Sequence, residues 1–476
     1  MGYIGNKPGK KYIIKYEDKR RHNRRIKYLK IGIPIIAVFL LALTGWLVWK
    51  KAEDGRGESR ETLSELVETD LPAEEQEAGG TSGGESQGKQ DGSVPEDERE
   101  GAENDGKVFA GEKGSGGNPD ETEQNKENQI GTDEKRKGNV KVKGIYITGP
   151  MAGNAAFQDI LKLVEETELN AMVIDVKNDE GKISWKMDLE SAQALGACTP
   201  YIGDMEEFMK NLKERGIYTI ARIACFKDPC LAKGRPELAL TKADGRAVTD
   251  ANGMAWVNPY REEVWEYLTE IAEAAAEAGF DEIQFDYVRF PIGSDAEEAD
   301  YGVDVQVYTK QQAIGGFLEY AVERLHEKEI VVTADVFGTI IGSETDVERV
   351  GQDYEELGEL IDVISPMVYP SHYGNYVFGL DVPDAHPYET VLAALEGSKE
   401  ELAKIPEEKR AVVRPWLQAF TATWVSGHIS YEGEQIRQQI QAVYDAGYEE
   451  WILWNAVNRY SADGLMPEKE EPADNA

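Results

Sequence analysis

Cysteine and histidine are scarce in this chain, and their scarcity limits the chemistry available to it. Its 476 residues include three cysteines, too few for a disulfide framework, although Cys225 and Cys230 are close enough in sequence to pair across a short loop. The five histidines never fall into H-x-H or H-E-x-x-H spacings, which argues against a zinc hydrolase. We therefore expect no metal site.

Phosphate-binding and serine-hydrolase motifs are missing from residues 140–465, the part of the chain that is rich in predicted strands. This part contains neither a Walker loop nor a G-x-S-x-G nucleophile elbow. We therefore expect no cofactor, and acid–base chemistry by carboxylates is what remains.

Positive charge is also in short supply. The chain has 52 Lys and Arg against 89 Asp and Glu, which gives a formal net charge of −37. Nucleic acid is not expected as a partner, because binding it requires a basic surface. An acidic surface is ordinary for a soluble extracellular enzyme and does not identify a substrate.

Charge is absent from residues 31–49, IGIPIIAVFLLALTGWLVW, which follow a basic segment. Nineteen apolar residues at about 1.5 Å each reach across a hydrocarbon core of about 30 Å. The basic flank places the N-terminus in the cytoplasm by the positive-inside rule. We therefore expect a single-pass protein of the cell membrane, with residues 1–30 as a basic cytoplasmic tail, residues 31–49 as the transmembrane helix and the remainder outside the cell.

Aromatic residues are almost missing from residues 50–139, which are rich in Glu, Asp, Gly, Ser and Gln. Such a segment cannot bury enough apolar surface to fold, so we expect a disordered acidic linker. The folded domain is expected over residues 140–465, followed by a flexible acidic tail at residues 466–476.

Short apolar runs alternate with amphipathic helical stretches from residue 139 onward. The runs cover residues 144–148, 171–176, 218–225, 282–288, 330–336, 363–369, 411–417 and 451–455. Eight strands separated by helices over about 330 residues predict an α/β fold, an eight-stranded parallel (β/α)8 TIM barrel. A doubly wound open sheet is the alternative, and it is disfavoured because TGPMAGN after the first run lacks the glycine-rich fingerprint of that fold.

The fourth run, FDEIQFDYVRFP at residues 280–291, is the most informative stretch of the chain. Side chains alternate across a strand, so Gln284 and Asp286 share one face. A carboxylate near the end of an apolar strand is costly unless that end opens into a site. The competing interpretation is that Asp286 caps a loop or pairs with Arg289.

Polar and aromatic side chains collect at the predicted carboxyl ends of the strands, where barrel enzymes carry their active sites. The candidate binding residues are Asp175, Lys177, Arg222, Asp228, Gln284, Arg289, Tyr369, His372, Trp416, Gln418 and Trp454. A purely structural role remains open for several of them. Trp416, Trp454 and Tyr369 either contact a ligand or pack in the core, and His372 either contacts a ligand or satisfies a loop backbone.

Two carboxyl groups on neighbouring strands fit glycoside hydrolysis, which needs one protonated acid and one ionised partner. Asp286 is the candidate nucleophile, with Arg289 expected to keep it ionised, and Asp335 is the candidate acid. Proximity would push their pKa values apart and separate the two roles. Asp175 and Asp228 are reserve candidates for either role.

Several motifs in order along the chain are similar to those of a known bacterial family. They are KGIYITGPMAG from Lys143, NAMVIDVKNDEG from Asn170, FDEIQFDYVRFP from Phe280, TADVFG from Thr333, DVISPMVYPSHY from Asp362 and RPWLQAF from Arg414. Over residues 142–460 the chain resembles a family of uncharacterised domains described as glycosyl hydrolases, α/β barrels often found behind a membrane anchor. By analogy with better-known barrel glycosidases, the resemblance implies that the carboxylate closing strand four, Asp286, is the nucleophile.

The sequence thus predicts a membrane-anchored extracytoplasmic glycoside hydrolase that acts on a cell-wall or surface polysaccharide. We expect a monomer whose partners are a poly- or oligosaccharide and, through residues 31–49, the membrane. Two alternatives remain: a non-catalytic carbohydrate-binding barrel, and another carboxylate-dependent carbohydrate enzyme such as a lyase or transglycosidase.

Overall fold

The structure is a computed structural model that describes residues 140–467. The predicted cytoplasmic tail, membrane helix and linker at residues 1–139 lie outside the described residues, as does most of the tail at 466–476. Within the described range, no helix combines the length and the apolar character needed to cross a membrane.

Eight parallel strands, numbered here in chain order, form the centre of the fold. They are β1 (Lys143–Ile147), β2 (Ala171–Lys177), β3 (Tyr218–Ala224), β4 (Glu282–Asp286), β5 (Val331–Phe337), β6 (Val363–Val368), β7 in two pieces (Val412–Val413 and Trp416–Gln418) and β8 (Trp451–Trp454). Each strand pairs with the next, and β8 pairs with β1 through Lys143 and Trp451, which closes the sheet. The predicted eight-stranded parallel barrel is confirmed.

Six strands match the predicted runs to within one residue at each end, and two differ more. β4 ends at Asp286 rather than at residue 288, because Tyr287 adopts the left-handed conformation with φ of 48° and cannot continue an extended strand. β7 is interrupted at Arg414 and Pro415, since proline lacks the amide hydrogen that a ladder requires.

Twelve α-helices among the described residues surround the barrel or decorate its loops. They are α1 (Gly149–Ala152), α2 (Phe157–Glu166), α3 (Glu190–Ala194), α4 (Met205–Glu214), α5 (Pro229–Gly234), α6 (Glu262–Ala278), α7 (Ser294–Glu297), α8 (Lys310–His326), α9 (Glu344–Val350), α10 (Tyr354–Leu360), α11 (Pro387–Leu402) and α12 (Gly433–Asp445). Short 3-10 turns occur at Pro236–Leu238, Gly338–Ile340, Pro370–His372, Val377–Gly379, Pro383–Ala385, Glu407–Lys409 and Ala462–Gly464.

Helix ends follow the sequence closely. α8 begins with a capping box in which the Thr309 side chain accepts from the Gln312 amide while the Gln312 side chain accepts from the Thr309 amide. α6 ends at Gly279, whose φ of 106° is easily reached only by glycine. These signals set where each helix returns the chain to the next strand.

Two separate apolar cores hold the barrel together. The larger lies between the strands and the outer helices, and the smaller fills the barrel interior. Val173, Ile220 and Ile452 belong to the interior core. On β4 and β5 several interior side chains are polar instead, with Gln284 and Asp335 among them. The barrel interior therefore combines an apolar core with buried polar groups.

The loops after β3 and β4 extend the barrel at its carboxyl end. Thr241–Lys242 in the first loop pairs antiparallel with Ala299–Asp300 in the second. The three cysteines stay unbonded, with Cys225 buried and Cys198 and Cys230 half-buried. The pairing of Cys225 with Cys230 that the sequence left open is therefore not formed.

Candidate active site

Asp286 lies at the carboxyl end of β4 and points into the barrel, on the same face as Gln284. Its Oδ1 atom accepts a hydrogen bond of 2.5 Å from the amide of Tyr287. The left-handed backbone of Tyr287 turns the chain immediately after the carboxylate. Strained backbone of this kind concentrates at functional sites, where the surrounding structure holds it in place.

Arg222 on β3 lies between two carboxylates and binds both. Its Nε and Nη2 atoms lie 2.9 Å and 2.5 Å from Oδ2 of Asp286, and its Nη1 atom lies 2.5 Å from Oδ1 of Asp175. Burial alone would lower the pKa of Arg222, but the charges of Asp286 and Asp175 outweigh it and raise that pKa well above its usual value. Arg222 therefore stays positive and supplies the counter-charge to Asp286.

Two aromatic rings support the Arg222 guanidinium from the β8–β1 side. The rings of Tyr146 and Trp454 stack with their centroids 4.1 Å apart, and the guanidinium carbon lies 5.4 Å from each centroid. The Tyr146 hydroxyl also donates a 2.5 Å hydrogen bond to Oδ2 of Asp175. Burial nevertheless raises the pKa of Asp175 above its usual value, although Arg222 and Tyr146 act to lower it.

Asp335 on β5 has a different environment from Asp286. Its Oδ1 atom accepts hydrogen bonds from Trp416 Nε1 at 2.7 Å and from Gln284 Nε2 at 2.8 Å, while its Oδ2 atom has no partner among residues 140–467. The residue is 1% exposed. Burial, reinforced by the negative charge of Asp286, raises the pKa of Asp335 well above its usual value. Asp335 therefore keeps its proton to a higher pH than an ordinary aspartate does.

The two aspartates lie side by side on adjacent strands. Phe285 of β4 is level with Ala334 of β5, and one residue further along the same register brings Asp286 level with Asp335. Both side chains face the barrel interior. The site thus holds one carboxylate with a counter-charge and one carboxyl group that favours its neutral form, the division of roles that acid–base catalysis requires.

Tyr369 and His372 border the site where β6 ends. Burial raises the pKa of Tyr369 well above its usual value, and the charges of Asp335 and Asp286 add to the effect, which places the phenol near both. Burial lowers the pKa of His372 to about 4, so its imidazole is neutral at physiological pH. His372 Nδ1 lies 3.0 Å from the Ser371 hydroxyl.

Comparison with known proteins gives a family for this barrel. Residues 144–460 match the profile of the family described as "putative glycosyl hydrolase domain", which spans nearly all of the described residues. The chain belongs to this family. The predicted resemblance and the predicted class of enzyme, a glycosidase, both agree with that description. No curated protein sequence matches the chain significantly.

One similar solved structure is a hypothetical protein from Ruminiclostridium thermocellum ATCC 27405, which is 35% identical in sequence. The match covers 40% of this chain and 97% of that chain, with a TM-score of 0.37. The glycoside hydrolase domain of PgaB (BpsB) from Bordetella bronchiseptica has 12% identity, coverages of 66% and 94%, and a TM-score of 0.49. The spore cortex-lytic enzyme SleL from Bacillus megaterium QM B1551 has 12% identity, coverages of 69% and 73%, and a TM-score of 0.40. Because these TM-scores are below 0.5, the family match carries the assignment.

Lys177 and Asp228 were predicted to line the substrate groove of this glycosyl hydrolase domain, and the structure places them elsewhere. Both are fully buried, and their side chains form an ion pair of 3.0 Å. Asp228 also caps α5 by accepting from the Leu231 amide. A register shift between Asp175 and Lys177 turns the Lys177 side chain away from the face that Asp175 occupies. The pair is therefore structural.

Arg289 and Gln418 also have surroundings that differ from the prediction. An ion pair to Asp286 is made by Arg222. The Arg289 guanidinium lies over three aromatic rings, the nearest being Phe337 with its centroid at 4.4 Å. Gln418 is fully buried: it donates to Asp384 and accepts from the Ser371 amide, which ties together the loops after β6 and β7. Its role is to position loops.

The two predicted tryptophans have different surroundings. Trp416 is 1% exposed and holds Asp335, so its face is covered rather than open to a sugar. Trp454 is half-buried and packs on Tyr146. Sequence reasoning missed Tyr146, which closes the Asp175–Arg222 side of the site. The alternation in KGIYI, with a tyrosine one residue before the end of β1, was the available signal.

A surface depression of about 790 Å³ lies away from these residues, on the outer face of the barrel. Trp185, Met205, Lys213 and Ala278 are among its lining residues, and none of the predicted site residues borders it. Its walls come from helices on the outside of the barrel. The depression is therefore separate from the candidate residues at the carboxyl ends of the strands.

Proposed function

We propose that the chain is an extracytoplasmic glycoside hydrolase, anchored in the membrane by residues 31–49, that hydrolyses a cell-wall or surface polysaccharide with Asp286 and Asp335. One observation carries the proposal. Two carboxyl groups lie level on adjacent strands, one paired with Arg222 and the other with a pKa that burial raises well above its usual value. Glycoside hydrolases need two such groups on either side of the scissile bond.

The geometry assigns a role to each group. Asp335 carries its proton on Oδ2, the oxygen that neither Trp416 nor Gln284 binds, and donates it to the leaving glycosidic oxygen. Asp286 acts at the anomeric carbon, either directly as nucleophile or as the base that activates water. Arg222 holds Asp286 in place and balances its negative charge until Asp286 reacts with the sugar or takes a proton from water.

Asp335 is almost fully covered by its neighbours, so a sugar ring must open the mouth of the barrel before the proton can be transferred. Catalytic hydrogen bonds commonly reach their working geometry only in the complex with substrate. The separation of the two carboxyl groups in that complex decides the stereochemistry. About 5–5.5 Å gives retention and about 6.5–9.5 Å gives inversion.

The proposal is tested with the full chain in detergent against a panel of bacterial cell-wall and surface polysaccharides, with release of reducing ends as the readout. Hydrolysis by the native chain and loss of hydrolysis in Asp286→Asn are expected. Near-normal hydrolysis by Asp286→Asn would remove Asp286 from the mechanism, and Asp175 would be the next carboxylate to test.

The anchoring part of the proposal rests on the uncharged residues 31–49 after a basic segment. Membrane fractionation should place the full chain in the membrane pellet and a variant lacking residues 1–49 in the soluble fraction. Protease added outside intact cells should cleave the acidic segment 50–139. A full chain that stays soluble without detergent would contradict the anchor.

A non-catalytic carbohydrate-binding barrel is the second candidate, and the near-complete burial of both aspartates favours it. Binding of a glycan without turnover by the native chain, at every pH from 4 to 9, would establish this candidate. A lyase or transglycosidase would instead be recognised by its products, an unsaturated sugar or a transferred one.

A further inference from the structure

A continuous row of aromatic rings leads away from the aspartates along the loops after β6 and β7. The Tyr369 ring lies 6.1 Å from Phe420, which stacks on Trp424 at 5.9 Å with an interplanar angle of 21°. Phe420 and Trp424 are each half-buried. The row therefore begins beside the carboxyl groups and ends at the surface.

A second aromatic pair lies in the loop after β6. Tyr376 is 76% exposed and Phe378 is 44% exposed, and the Phe378 ring rests against Tyr373 at 5.2 Å. Both exposed residues have left-handed backbones, with φ of 69° and 56°. Bulky residues rarely adopt this conformation, so the loop holds two aromatic side chains in solvent against local backbone preference.

These aromatics lie on the side of the site that carries the proton donor. β6 is the neighbour of β5, which carries Asp335, and Trp416 on β7 donates a hydrogen bond to that residue. Arg222 and Asp175 lie on β3 and β2, on the other side of Asp286. A sugar that leaves from the side of the acid therefore departs over the loops after β6 and β7.

The same loops contain three histidines but no lysine or arginine. Residues 370–386 and 419–432 include neither lysine nor arginine, whereas Asp381 and Asp384 are present. Carboxylated or phosphorylated glycans are bound best by the permanent charges of lysine and arginine, which these loops lack. Aromatic rings with a polar edge suit the apolar faces of uncharged pyranose rings.

We propose that Tyr369, Phe420, Trp424, Tyr376 and Phe378 form an aromatic strip that binds the leaving part of an uncharged saccharide chain. This inference rests on the proposed glycosidase function and adds a substrate class to it. The strip gives the site at least two ring-binding positions beyond the scissile bond, which selects for cleavage inside a neutral glycan rather than for removal of single sugars.

The test uses the full chain in detergent with neutral pentasaccharides, β-1,4-linked glucose and β-1,4-linked N-acetylglucosamine, an anionic tetragalacturonate and an aryl monosaccharide glycoside. Trp424→Ala and Phe378→Ala are each compared with Tyr201→Ala. Tyr201 is the matched control because it is a 38% exposed aromatic residue in the loop after β2, across the rim. Binding is measured in an Asp286→Asn background, and turnover in the native background.

Trp424→Ala should weaken pentasaccharide binding about 3- to 10-fold, the range expected for loss of one stacking ring. The ratio of kcat/KM for a pentasaccharide to that for the aryl glycoside should fall by a similar factor, and Trp424→Phe should restore it. Tyr201→Ala should stay within about twofold of the native chain. Tetragalacturonate should bind less tightly than either pentasaccharide.

Equal pentasaccharide affinity in Trp424→Ala, Phe378→Ala and Tyr201→Ala would overturn the strip, as would binding of tetragalacturonate alone or of none of these glycans. If the native chain binds a pentasaccharide, loses affinity in Trp424→Ala and hydrolyses nothing, the strip is supported while the glycosidase function fails. Hydrolysis with unchanged affinities in all three variants would keep the function and remove the strip.

Discussion

The two ends of the barrel interior carry similar groups in different balance. At the amino end, Arg414 binds Glu282 at 2.6 Å and Glu450 at 2.8 Å. Glu282 also accepts hydrogen bonds from the hydroxyls of Thr333 and Tyr218. Every carboxylate oxygen of Glu282 has a donor, so this end resembles a closed ionic core.

At the carboxyl end, Arg222 likewise bridges two carboxylates, Asp175 and Asp286, but a third acid lies beside them. Asp335 has no cation of its own, and one of its oxygens lacks a donor among residues 140–467. Under the proposed function, the same motif of one arginine between two acids stabilises one end of the barrel and prepares the other for proton transfer. The two ends of the barrel differ in the third acid, Asp335, which is present only at the carboxyl end of this pair of motifs.

From the comparison of the two ends, we expect the largest effect on turnover when Asp286 is replaced. Asp286→Asn should reduce turnover by at least about 10⁴-fold, since removing a reacting carboxylate eliminates the chemical step rather than slowing it. Thermal unfolding should change little because the amide has the same shape. Asp304→Asn is the control, an exposed aspartate in the loop after β4 whose Oδ1 accepts from the Gln306 amide, as an asparagine oxygen also can.

The two arginines should separate stability from activity. Arg414→Met should lower the free energy of unfolding by about 3–5 kcal/mol, because it leaves Glu282 and Glu450 buried without a cation. Arg222→Met should reduce kcat by about 10²–10³-fold, since it removes a preorganised charge beside the reacting group. Denaturant titration and steady-state kinetics on both variants would show whether each arginine affects mainly one quantity, and equal effects would undo the comparison.

Asp335→Asn should slow hydrolysis of demanding leaving groups by about 10²–10⁴-fold, the usual contribution of a positioned acid. Aryl glycosides with good leaving groups should be affected less, because they need little protonation. The pKa of Asp335 is raised, so the native rate should fall as the pH rises through that value. The variant should lack this basic limb, and a variant that kept it would assign the acid to another residue.

The smallest expected effect is a gain in stability from Asp335→Asn. The folded pKa of Asp335 lies above its unfolded value, so the unfolded chain binds fewer protons and native stability falls as the pH rises from about 4. Asp335→Asn cannot ionise and should escape this loss. Melting curves between pH 4 and pH 9 should show a difference in Tm that grows with pH until the native carboxyl ionises. An Asp335→Asn variant that is less stable than the native chain at pH 8 would contradict this expected gain in stability.

The strand positions were predictable because a strand buried on both faces appears as an uninterrupted apolar run. The inward direction of Gln284 and Asp286 followed from simple alternation. The error at Lys177 came from a local shift in register, which no alternation pattern reveals. The pairing of Arg222 with Asp286 depended on which strand lies beside β4, and that is a property of the closed barrel.

Both ends of the described chain lie at the amino end of the barrel. Glu168, at the approach to β2, binds the Lys143 amine at 2.8 Å near one end and accepts from the Met466 amide at 3.0 Å near the other. Asp286 lies at the opposite end of the strands. Residues 140 and 467 therefore both lie behind the mouth of the barrel, so a tag or surface linkage joined at either position would start on the side away from the entrance.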